Sequence, residues 1–334
     1  MKLCAAVLLA AALPLQAQSY HIAQTYTLGG DGGWDYIALD TVGHRLFVAR
    51  QDRVMVIDPE SGKLLAEIPG LNRAHGVAFS YATGKGFATS GGDSSVIVFD
   101  LKSLQVLGRT TAAVDADAVL FDPATKHVFT FNGDAGSASV IDAASGQRIG
   151  NIELGGKPEF GVTTGDGRLY VNIEDSSAVA EVDPAAMKVT RHWKLAPCES
   201  PTGLAIDRAH GILFSGCRNG VMAISDAKAG RLITTVPIGQ GVDAARFDDG
   251  RQLAFASNGD GTITVIHEDA PDKFTVVATV QTKRGARTME LDQKTHRLYT
   301  VTADFGPPPA PTADRPRPRP PVLPGTFALL ELDP

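Results

Sequence analysis

The chain has 334 residues, a formal net charge of −6 and an isoelectric point near 5.7, a balance that argues against a nucleic-acid partner because phosphate contacts need a basic face. Its 35 glycines and 20 prolines are spread along the chain instead of gathered in a linker. That distribution favours one all-β body over a helical or multidomain protein.

In chain order, the first element is MKLCAAVLLAAALPLQA, residues 1–17, with Lys2, an apolar run from Leu3 to Leu13 and the small Ala17 before Gln18. This pattern predicts a secretory signal peptide, too short to span a bilayer. Cys4 lies too early to be the acylated cysteine of a lipoprotein signal. No other apolar run reaches spanning length, so the expectation is a periplasmic or secreted protein whose residues 18–334 form a single, monomeric domain without a membrane span.

After an isolated strand-like segment, YHIAQTYTL (20–28), one motif repeats: a polar residue, four mostly apolar residues, then Asp, Ser or Thr. Its copies are DYIALD (35–40), HGVAFS (75–80), DAVLFD (117–122), EFGVTT (159–164), TGLAID (202–207), DAARFD (243–248) and RTMELD (287–292), at intervals of 40 to 44 residues. Each is followed by a second strand carrying an aromatic: Phe47, Phe87, Phe129, Tyr170, Phe214, Phe255 and Tyr299. Third strands such as VMVID (54–58) and VIVFD (96–100), and fourth strands such as LLAEI (64–68) and LITTV (232–236), complete each unit. Four short strands per unit of about forty residues predict a seven-bladed β-propeller of four-stranded antiparallel blades. The seventh unit has only three strands, so the N-terminal segment is expected to close the last blade and remove two exposed sheet edges.

The second strands RLFVAR (45–50), HVFTFN (127–132), RLYVNI (168–173) and RLYTVT (297–302) resemble the Tyr-Val-Thr-Asn repeat, and residues 20–334 are similar to the YncE-like family of exported bacterial seven-bladed propellers. The resemblance implies architecture and export. It is tied to no single reaction.

In a propeller the first strands line the central channel, which places Asp35, His75, Asp117, Glu159, Thr202, Asp243 and Arg287 at one rim. The ends of the second strands return to that face with Arg50, Ser90, Asn132, Asn172, Glu174, Asp175, Arg218, Asn258 and Asp260. The residues five positions into each motif, including Asp40, Asp122, Asp207, Asp248 and Asp292, are expected to bond turn backbone on the opposite face. The rim residues have three readings. They cap inner-strand backbone; they form an acidic binding rim for a small ligand or protein; or Asp35, Asp117, Glu159 and Asp243 hold a divalent cation such as calcium, which takes oxygen donors. Arg287, a fixed positive charge, counts against the third. A metal-dependent hydrolase of the lactonase or esterase type is the alternative to a binding role, with His75 as its candidate general base beside Asp117. The GDGG segment (30–33) is a loop and not a dinucleotide site, because no helix follows it.

Cys198 and Cys217 are the two cysteines beyond the leader, and in an exported chain they suggest a disulfide. Residues 306–324, GPPPAPTADRPRPRPPVLP, contain nine prolines and interrupt the last blade. They predict a solvated polyproline-type excursion, with a partner-docking arm or channel flap using Arg315, Arg317 and Arg319 as the functional alternative.

Overall fold

The computed structural model describes residues 20–312 and 318–334. The signal-peptide assignment at 1–17 and the charges of Arg315 and Arg317 lie outside the described residues. Seven four-stranded antiparallel sheets form the fold. Blades one to six run through residues 37–69, 74–111, 116–153, 158–194, 201–237 and 242–281, each with its strands in sequence order. The innermost strand of each blade contacts that of the next, and Ile37–Asp40 of blade one contacts Met289–Leu291 of blade seven, so the ring is closed. Among the described residues the only helix is one 3₁₀ turn, Gly91–Asp93, and no helix is long and apolar enough to cross a membrane.

Blade seven is built from Met289–Leu291, Leu298–Thr302 and Ala328–Asp333, with His21–Thr27 as its outermost strand. The N-terminal strand pairs antiparallel with Ala328–Asp333, as the count of orphan strands requires. Tyr26 then donates from its hydroxyl to the Glu60 carbonyl of blade one at 2.6 Å, tying the closing strand to the first blade.

The periodic aromatics hold adjacent blades together. All seven are buried; Phe47 packs on Phe79 of blade two with ring centroids 4.9 Å apart, and Phe214 stacks on Phe247 of blade six at 5.2 Å. Truncating one such ring to alanine typically costs about 3–5 kcal/mol. The motif-final aspartates do the predicted turn work: Asp40, Asp122, Asp207, Asp248 and Asp292 accept backbone N–H bonds from Gly43, Thr125, Ala209, Gly250 and Lys294 at 2.8–3.0 Å.

Two segments depart from expectation. Arg50 does not reach the rim as a polar end group; it is wholly buried, and its guanidinium donates to the carbonyls of Gly33 at 3.1 Å, Asp31 at 2.9 Å and Gly32 at 3.1 Å while lying 3.7 Å over the Phe327 ring. Burial, with the Arg53 charge second, pulls its pKa down to about 10, so it remains a cation at neutral pH. The glycine-rich loop is thus folded around a cation that orients its carbonyls, and it ends by delivering Trp34 and Asp35. The proline-rich insertion has an anchored base. Gly306 N–H donates to Pro321 at 2.9 Å, Leu323 N–H to Asp304 at 2.8 Å, and Phe305 bridges Val322. Residues 307–312, 319 and 321–324 are exposed, in keeping with the solvated reading, while these backbone bonds tie its base down.

Candidate ligand site at the channel mouth

Five of the seven inner strands carry a β-bulge at the motif-initial residue. The register slips between Ala74 and Val77, Ala116 and Val119, Pro158 and Gly161, Pro201 and Leu204, and Val242 and Ala244. A bulge leaves a residue outside the ladder and re-aims its side chain, and His75, Asp117, Glu159, Thr202 and Asp243 all lie inside these bulges. Asp35 and Arg287 precede the first paired residues of their strands. Side chains of the preceding blade hold the freed carbonyls: Thr89 donates to Asp117 at 2.6 Å, Asn172 to Thr202 at 2.9 Å, and Ser257 to Arg287. The mouth is therefore positioned by backbone and not by flexible loops.

The residues gathered there divide into two arcs. On one side His75 Nδ1 lies 2.5 Å from Asp35 Oδ2 and 3.2 Å from Asp117 Oδ1. His75 is buried, and its Nε2 finds no hydrogen-bond partner; a Cβ on Gly91 would stand 2.8 Å from that nitrogen. Burial opposes the imidazolium, and the Asp35 hydrogen bond with the Asp117 and Asp35 charges more than reverses it, so the His75 pKa is raised. With Nδ1 clasped and Nε2 enclosed, His75 is placed as a link between carboxylates and not as a free general base.

Glu159 is pushed up to about 8, chiefly by burial and then by the charges of Asp117, Glu174 and Asp243. Asp117 is pushed up to about 7 by burial, with His75 opposing and Asp35 adding to the shift. Beneath them Tyr36 and Phe160 meet across the channel with ring centroids 5.3 Å apart. Burial, then the Asp117 and Glu159 charges, keeps the Tyr36 hydroxyl well above its ordinary value. Deeper still, Arg246 pairs with Glu290 at 2.9 Å and lies 5.3 Å over the Phe160 ring. Tyr36 is buried, and its contact with Phe160 joins the inner strands of blades one and four.

The opposite arc is basic. Arg287 pairs with Asp243 at 3.3 Å, and Arg218 pairs with Glu174 at 3.1 Å and approaches Glu159 at 3.7 Å. Asp243 is raised to about 6 by burial against the pull of Arg287, while Asp243 in turn raises the Arg287 pKa. A cleft of about 610 Å³ opens over this arc, lined by Trp34, Arg218, Asp243, Arg284, Arg287, Phe305, Arg319, Pro320 and Val322, so the base of the insertion forms one of its walls. Immediately before Arg218, Cys217 is bonded to Cys198, with Cα atoms 5.6 Å apart.

Several sequence assignments change on this geometry. Thr202 is buried and donates to Val242 at 3.0 Å and Gly216 at 3.3 Å, so it serves the inner strands and not the mouth. Asn132 is buried and bonded to Ser137 and Ser139 at 3.1 and 3.2 Å, and Asn258 to Thr262 and Thr264 at 3.0 and 3.2 Å. Both amides lock the turn after their own strand. The four carboxylates Asp35, Asp117, Glu159 and Asp243 are not one ligand set, because arginines engage Asp243 and Glu159. The group that comes within ligating reach is Asp35, His75 and Asp117. Trp34, Tyr36, Phe160, Arg284 and Phe305 escaped the sequence reading. The adjacency of Trp34 and Tyr36 to a rim residue was the available signal. A second carboxylate–imidazole group, Asp207, His210 and Glu268, is held together by turn geometry, with His210 Nδ1 at 2.5 Å from Asp207 and 3.0 Å from Glu268.

No protein-family model matches the chain. It is 27% identical over 148 residues to "Uncharacterized protein YncE" of Salmonella typhimurium and 26% identical over 148 residues to the protein of that name from Salmonella typhi. Each alignment spans 42% of this chain and 42% of the relative's length, about two fifths of both. Among solved structures it is similar to "Structure of U3-55K" and "Crystal structure of RRP9 WD40 repeats", both with a TM-score of 0.74, at 10% and 11% identity, covering 94% of this chain and 98% and 99% of those chains. These likenesses support a YncE-like propeller and place the fold among WD40-type rings.

Proposed function

We propose that this is an exported binding propeller that takes a small ligand at its channel mouth, in the cleft between the inner strands and the base of the proline-rich insertion. The observation that carries this reading is the lining of the cleft, which joins convergent polar groups from blades five to seven with an aromatic wall, in a volume compatible with the ~300–1,000 Å³ range of small-molecule sites. The leader-like segment 1–17 and the Cys198–Cys217 bond support export to an oxidising compartment.

The test is a thermal-shift screen of a metabolite panel against the purified protein and a variant with residues 307–320 replaced by a short Gly-Ser linker. The Gly306–Pro321 bond brings the two ends together, so the fold should survive. Compounds that bind the folded state raise its melting temperature, and these rises should vanish in the variant. Stabilisation that persists without the insertion would sink the reading.

A second reading, a metal-dependent hydrolase, rests on the mutual approach of Asp35, His75 and Asp117. One nitrogen and two oxygens form a donor set suited to zinc more than to all-oxygen calcium sites. It requires stoichiometric metal in the isolated protein and turnover of a lactone or ester that His75→Ala removes.

A further inference from the structure

We infer that the ligand of this cleft is a small organic anion, an oxyanion carried on a flat apolar body, with Arg284 and Arg319 as the residues that hold its charge. The inference deepens the binding reading above and rests on it.

The charge balance of the lining comes first. Four guanidinium groups, those of Arg218, Arg284, Arg287 and Arg319, face a single lining carboxylate, Asp243. Arg287 is paired with Asp243 and Arg218 with Glu174. Among the described residues Arg284 and Arg319 make no ion pair and no side-chain hydrogen bond. Guanidinium cannot shed its proton to relieve crowding, so two unpaired cations share a cleft with two paired ones. An anion offsets that repulsion, and a guanidinium fork fits a carboxylate or phosphate in bidentate fashion. The protein as a whole is acidic, so this local excess does not reflect general basicity.

The walls specify the rest of the ligand. Trp34 and Phe305 stand with ring centroids 6.1 Å apart, and Pro320 and Val322 complete an apolar side. Gly285, at φ +81°, leaves room for the Phe305 ring, because a Cβ there would come within 2.8 Å of it. The aromatic wall is held from behind by Phe327, 5.2 Å from Trp34, which is itself fixed beneath the buried Arg50. A preformed apolar wall facing unpaired cations selects a molecule with one charged end and one flat end.

The test is isothermal titration calorimetry of the whole protein with four probes of similar size: cinnamate, phenyl phosphate, neutral cinnamyl alcohol and cationic phenethylammonium. Cinnamate or phenyl phosphate should bind, with affinity falling as salt rises, and the comparison of the two separates carboxylate from phosphate. Arg284→Gln and Arg319→Gln, which disturb no ion pair among the described residues, should each weaken the bound anion about tenfold, the loss expected for one charge-assisted hydrogen bond. Binding of cinnamyl alcohol within threefold of cinnamate, or full affinity in both variants, overturns the inference. If neutral or cationic compounds of the wider panel bind in an insertion-dependent manner and anions do not, the anion assignment fails while the binding reading stands. Failure of every compound removes both.

Discussion

The two arcs of the channel mouth come largely from the same repeat positions, yet they settle their charge in opposite ways. In the acidic arc the side chains of His75, Asp117 and Asp35 are 11%, 18% and 19% exposed; His75 lies between two carboxylates, and burial with the neighbouring charges raises the Glu159 pKa to about 8. In the basic arc Arg218 is 53% exposed and Arg287 36%, and among the described residues Arg284 and Arg319 make no ion pair, although the Arg319 charge acts on Asp243. Carboxyl groups adjust by protonation when burial and like charges raise their pKa. Guanidinium groups stay charged and must be solvated, paired or met by a ligand. Among the described residues the acidic arc keeps two buried atoms without a hydrogen-bond partner, His75 Nε2 and Asp117 Oδ1, whereas in the basic arc Arg284 and Arg319 are exposed and open to an external group.

The largest effect expected from breaking this arrangement comes from beneath it. Arg50→Ala removes a buried cation and leaves several carbonyls of the 29–33 loop without a donor; a loss of about 3–5 kcal/mol is expected, read by chemical denaturation. An effect under 1 kcal/mol would show that the loop does not depend on Arg50. The Cys198→Ser/Cys217→Ser pair should cost about 3 kcal/mol by the loop-closure argument and should lower anion affinity, since Arg218 loses its adjacent anchor. Intact affinity with reduced stability would confine the disulfide to folding. Arg287→Ala leaves Asp243 buried beside other carboxylates. Because Arg287 is partly solvated, the expected loss is about 2 kcal/mol, below that of a fully buried pair.

The acidic arc can be tested by pH. Glu159 has a folded pKa of about 8 against an ordinary value of 4.5, so between these values the folded state binds more protons than the unfolded one. Its contribution to stability is present in full below the lower value and is lost as pH rises through the upper one. Asp117 and Asp243 act in the same direction with lower upper limits, about 7 and 6. Melting temperatures taken from pH 5 to pH 8 should fall more steeply for the wild type than for Glu159→Gln. Parallel curves would mean that Glu159 is ionised throughout. The smallest effect is expected for Arg284→Gln, within about 0.5 kcal/mol of the parent, which would mark the residue as spare for folding and available for a ligand.

Much of the architecture is written locally, and for that reason was legible. A forty-residue period, an aromatic in every second strand and an Asp, Ser or Thr at every motif end are properties of consecutive residues, and so are the backbone bonds that Asp40 or Asp248 makes two or three residues on. The missing fourth strand of the last unit and the spare strand at the start define the closure by counting alone, and the hairpin joining the Cys198 loop to Cys217 defines the disulfide by connectivity. What the seven rim positions do with their side chains depends on distances between blades that no single repeat contains. Thr202 occupies the same motif position as Asp243, but a nearby Val242 carbonyl takes its hydroxyl; Asn132 and Asn258 sit at strand ends near the mouth, but hydroxyls of their own hairpins take their amides. The bulges that turn the rim residues inward, the pairing of Arg287 with Asp243 and the folding of the insertion's base across the cleft arise only once the ring closes. Repeat period and turn chemistry are short-range properties of the chain, whereas charge balance at the mouth is a through-space sum over residues from every blade.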